Sequence, residues 1–135
     1  MSFSLSQIFR AKHAPSSDGL TQPQREAIVD LLHLCMYADN LIALAETNVV
    51  TDVVDSFSWE TKSSFASFEA RSIARAREAK ENEEILTSLL DSVSDRLNAP
   101  NARNIALKVC QQLIAVDGTT EKESALLAKI KQILG

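Results

Sequence analysis

The spacing of hydrophobic residues along the chain predicts a series of helices, and the first lies between Thr21 and Asn40. Its apolar residues follow the i, i+3, i+4, i+7, i+8 spacing of one helical face: Ile28, Leu31, Leu32, Cys35 and Met36. Thr21 and Gln24 have the spacing of a capping box, and Pro23 falls in the first turn, where its missing N–H is not needed. The helix is predicted to end near Asp39 and Asn40, because Asn tolerates the left-handed conformation that ends helices.

A second helix is predicted over residues 43–56, although its β-branched residues could suit a strand. The apolar residues are Val49, Val50, Val53, Val54 and Phe57. Two pairs of them are adjacent, which breaks the two-residue alternation of a half-buried strand and matches a helical face. Trp59 follows in a break and is predicted to fill a gap between helices.

Four more helices follow, and no segment alternates as a strand would. They are predicted over 64–80, over 83–97, from the break at 98–100 to Asp117, and at the C-terminus. The segment before Thr21 has one short amphipathic turn and a polar linker with Pro15 and Gly19. The sequence therefore predicts an all-α protein, with an arm and linker over residues 1–20 and one helical domain over residues 21–135.

Composition fits one soluble domain and gives no sign of a polyanion or membrane partner. The chain has 135 residues, 45% of them hydrophobic, and a net charge of -4. No basic field marks a nucleic-acid or anionic-lipid surface, and no apolar run reaches the roughly 20 residues of a membrane span. Cys35 and Cys110 lie in helical stripes outside any C-x-x-C pair, which predicts buried thiols. We expect a cytoplasmic protein.

The remaining polar residues give no pattern typical of an enzyme. Arg71, Arg75 and Arg77 alternate with glutamates and are predicted to form a solvated, ion-paired helix face. His33 is predicted to be a partly buried polar group, and no metal-hydrolase histidine motif is present. Phosphate loops, dinucleotide fingerprints and nucleophile elbows are also absent from the sequence. We therefore expect a non-enzymatic protein.

Two segments repeat one pattern, in which an apolar helix leads into an acidic turn and then a second helix. The first is YADNLIALAE at residues 37–46, and the second is AVDGTTEKE at residues 115–123. Asp39 and Asp117 each fall at the carboxyl end of a helix, where a negative charge opposes the helix dipole. Helix stability alone therefore does not explain these two aspartates.

These two segments resemble the TerB-like tellurite-resistance family, a group of small all-α bacterial proteins. The resemblance covers most of the chain after Thr21. It implies a compact bundle of about six to seven helices, in which the two units have a pseudo-two-fold relation and bring their acidic turns onto one surface. In the family that surface is thought to bind divalent cations. The resemblance also implies a role in a tellurite or chemical-stress response, with protein partners or self-association into a homo-oligomer.

The four metal ligands implied by the resemblance are Asp39, Glu46, Asp117 and Glu123. Carboxylate oxygens are the ligands that hard cations prefer, so the chemistry agrees. The first copy keeps the family spacing but has Asn and Ala where the family has Gly and a capping hydroxyl. The second copy keeps the Gly and the capping hydroxyl, but it is one residue shorter than the family pattern. Glu121 is therefore an alternative to Glu123 as the ligand.

Each of these carboxylates also has a structural interpretation. Thr120 and Glu123 have capping-box spacing, Glu46 and Glu121 lie near helix starts, and Asp beside Asn or Gly is common in turns. Two hypotheses follow. The chain is a cation-binding helical module, or it is a metal-independent helical interaction domain whose partners bind in a groove between helices.

Overall fold

The computed structural model of the chain is all-helical over the residues it describes. It describes residues 19–38, 44–57, 59, 65–115 and 121–135, with only the backbone of residues 44–46. The predicted N-terminal arm lies outside this part of the chain, apart from Gly19 and Leu20. The helices are α1 (Gln22–Met36), α2 (Leu44–Ser56), α3 (Phe65–Glu81), α4 (Glu83–Arg96), α5 (Pro100–Ala115) and α6 (Glu121–Leu134).

The first helix begins as the sequence predicts, with a complete capping box. The Thr21 hydroxyl oxygen accepts from the Gln24 backbone N–H at 3.3 Å, and the Gln24 side-chain oxygen accepts from the Thr21 N–H at 2.9 Å. The helix ends at Met36 rather than near Asp39. The Tyr37 N–H still donates to the His33 carbonyl at 2.9 Å, but Tyr37 no longer has helical backbone angles.

Helix α1 is the centre of the bundle and contacts each of the other five helices. From Ala27 to Met36 every residue is buried, so the predicted stripe is only part of its apolar surface. A helix surrounded by neighbours needs apolar side chains on all sides, and α1 supplies Val29 and Leu34 outside the stripe. The result is one continuous core rather than a two-layer arrangement.

The other helices also contribute buried apolar residues to this core. Val53 in α2, Val93 in α4, Val109 in α5 and Ile130 in α6 are fully buried. Trp59 packs against the core and contacts the rings of two α3 residues, Phe65 at 4.9 Å edge-to-face and Phe68 at 5.3 Å between centroids. Cys35 and Cys110 are both buried, as predicted.

Two polar side chains, those of Asn82 and Arg103, stabilise the ends of the later helices. Asn82 alone separates α3 from α4, and its side-chain oxygen accepts from the Glu84 N–H at 2.9 Å as an N-cap. Arg103 in α5 donates to the carbonyls of Leu97 at 2.6 Å and Ile133 at 3.1 Å, beyond the end of α4 and in the last turn of α6. One guanidinium therefore joins three helices through carbonyls that α-helical bonding leaves unsatisfied.

Candidate functional site

The predicted cation ligands fall mostly outside the described residues. Asp39 and Asp117 are both outside them, and Glu46 is described only as part of the α2 backbone. Glu123 is described, in the first turn of α6, and it is only 4% exposed. Glu121 is exposed at the start of the same helix. Of the two competing glutamates, Glu123 is therefore the one turned towards the interior.

No group of three or more His, Cys, Asp or Glu side chains suited to a metal lies within the described ranges. Those ranges omit two of the four predicted ligands and the side chain of a third. The cation site therefore stays a prediction. A buried carboxylate near a helix N-terminus is also stabilised by the helix dipole and backbone N–H groups, which keeps the capping interpretation of Glu123 open.

A groove lies at the end of the bundle where α1 finishes and α6 begins. Its volume is about 360 Å³, within the range of protein ligand sites. We call the apolar lining the groove floor. It comes from four helices and the second residue after α1: Leu34, Ala38, Ala76, Ala79, Leu86, Ala125 and Leu126. Four of these seven are alanines, so short side chains leave the space open.

The groove rim, by which we mean its charged lining, has five residues: Lys80, Glu81, Glu83, Lys122 and Lys129. Lys129 donates to the Glu83 carboxylate at 2.6 Å, and both side chains are well exposed, at 44% and 74%. Lys122 is exposed in the first turn of α6 and takes part in none of the ion pairs recorded for the described residues. Among the described residues the rim therefore has three lysines and two glutamates, and one of each forms the Lys129–Glu83 pair.

A second polar group, the Asp30 network, is buried between α1, α3 and α4. Asp30 is 1% exposed and accepts from Ser72 at 2.5 Å, Arg96 at 2.7 Å and Arg75 at 3.1 Å. The Arg96 side chain is 21% exposed and that of Arg75 is 46% exposed. A buried carboxylate is tolerated only when it is paired and hydrogen-bonded, and these three donors supply both conditions.

His33 extends this network into the core. Its Nδ1 lies 2.7 Å from the Ser72 hydroxyl oxygen. The single Ser72 proton is directed to Asp30, so Nδ1 carries the ring proton and donates to Ser72. Nε2 is then an unprotonated, buried acceptor with no hydrogen-bond partner among the described residues. Burial lowers the pKa of His33 to about 4, partly opposed by the nearby negative charge of Asp30.

The Asp30 network is structural rather than catalytic. Asp, Ser and His are all present, but Ser72 lies between the other two, and its hydroxyl is already donating to the carboxylate. All three residues are buried at 1% exposure or less, so no substrate reaches the hydroxyl. The arrangement is better explained as a means of fixing α3 against α1.

Comparisons with protein-family models, with curated proteins and with solved structures find no match for this chain. No helix within the described ranges combines the length and the apolar character that crossing a membrane requires.

Sequence reasoning misses both the network and the groove rim, and it mispredicts one residue. The sequence predicts a partly buried His33, but the residue is fully buried. Arg71, Arg75 and Arg77 are exposed as predicted, but the carboxylate that pairs with Arg75 is Asp30 in another helix. A charged residue inside the apolar run of α1 was the available signal, since an isolated Asp there requires a partner.

Proposed function

We propose that this chain is a non-enzymatic, cytoplasmic helical module that binds a divalent cation with its two acidic turns and thereby alters a docking face for partner proteins. The supporting observation is that Ala38, which directly precedes the first turn, and Lys122, the second described residue after the other turn, line one groove. A role in a tellurite or chemical-stress response is part of the proposal and rests on the sequence resemblance.

These two residues matter because each is close in the chain to one of the two proposed aspartate ligands. Asp39 directly follows Ala38, and consecutive Cα atoms are only about 3.8 Å apart. Asp117 precedes the start of α6 by four residues. The segment that contains Asp39 therefore begins beside the groove, and the segment that contains Asp117 ends beside the same groove. Carboxylates drawn from two segments give the several oxygens that Ca²⁺, Mg²⁺ or Mn²⁺ would need.

The test is a double substitution of the two aspartates, Asp39→Asn with Asp117→Asn, in the full chain. Without a cation, the like charges of the two aspartates repel each other, so the variant should be as stable as wild type or more stable. Wild type should gain about 2.7 kcal/mol at a hundredfold excess of cation over its dissociation constant, and the variant should gain nothing. Thermal melting with chelator and with Ca²⁺, Mg²⁺, Mn²⁺ or Zn²⁺ measures both effects, and calorimetric titration gives the affinity.

A wild type indifferent to all four cations, with a destabilised double variant, would reject cation binding. The second candidate function would then lead: a metal-independent helical interaction domain. The groove floor favours it, because partly open apolar space on a small bundle is the usual place for a partner helix.

A further inference from the structure

We draw no further inference here: the strongest candidate, the groove bounded by α1, α3, α4 and α6, has an apolar floor and a rim of mixed charge, and nothing in the described part of the chain shows what covers it.

Discussion

Replacing Arg96 by Met should destabilise the fold more than replacing Arg75 by Met, although both arginines bind the same carboxylate. Arg96 donates to Asp30 at 2.7 Å from a side chain that is 21% exposed. The Arg75 contact is longer, at 3.1 Å, and its side chain is 46% exposed. Methionine keeps an unbranched apolar side chain in both cases and lacks only the charged guanidinium group.

The magnitudes follow from what remains around the buried carboxylate. A hydrogen bond to a charged group contributes about 1.5–3 kcal/mol, and leaving a buried charge wholly uncompensated costs about 3–5 kcal/mol. Without Arg96, Asp30 keeps Ser72 and Arg75, so we expect a loss of about 2–3 kcal/mol. Without Arg75 the shorter contact persists, and water can reach the vacated, half-exposed position, so we expect about 1 kcal/mol.

Urea unfolding followed by far-ultraviolet circular dichroism measures these free energies, and melting temperatures should fall by roughly 4 °C per kcal/mol. Arg71→Met is the control, because Arg71 is exposed on the same helix as Arg75 and appears in no ion pair recorded among the described residues. Equal effects of Arg96→Met and Arg71→Met would show that the Asp30 network contributes nothing. A larger loss from Arg75→Met would show that contact length and burial do not rank the two pairs.

Three further predictions concern other parts of the chain. Folding lowers the pKa of His33 from 6.5 to about 4, so between these pH values the unfolded chain binds a proton that the folded chain does not. The free energy of unfolding should therefore fall by at most about 3 kcal/mol as the pH drops through this range. His33→Asn should remove this pH dependence from urea unfolding curves measured across the range. Arg103→Lys should cost about 1.5–3 kcal/mol in urea unfolding, because a lysine cannot reach the carbonyls of Leu97 and Ile133 together, whereas Arg71→Lys should change little. Deleting residues 1–18 should leave the melting temperature nearly unchanged, and a large drop would show that Phe3 or Phe9 docks on the bundle.

The helices were predictable because burial on one face leaves a period in the sequence. Residues 49–57 show this clearly: β-branched side chains favour a strand locally, but their spacing fits only a helix, and α2 is observed there. The end of α1 was less predictable. Asn40 marked a place where a helix can end, but Tyr37 already leaves helical angles, and no local residue signals that change.

The Asp30 network could not be predicted from spacing, because each of its hydrogen bonds joins two residues that are 39 to 66 positions apart in the chain. A pattern within one helix reveals which face is buried but not which neighbour covers it. The arginines of α3 therefore looked like a self-contained charged face, when one of them pairs with another helix. The groove has the same origin: Lys80 and Lys122 come together only after α3 and α6 have packed around α1.

The network and the groove share one seam between α1 and α3, and this connects the stability of the bundle with the shape of the groove. On α1, Leu34 follows Asp30 by four residues, so the two side chains lie on one helical face. On α3, Ala76 follows Ser72 at the same spacing. The first member of each pair belongs to the network and the second to the groove floor. The contacts of Asp30 with Ser72 and Arg75 therefore fix the distance between the two walls that carry the floor, and a substitution such as Arg75→Met should change the shape of the groove although Arg75 does not line it.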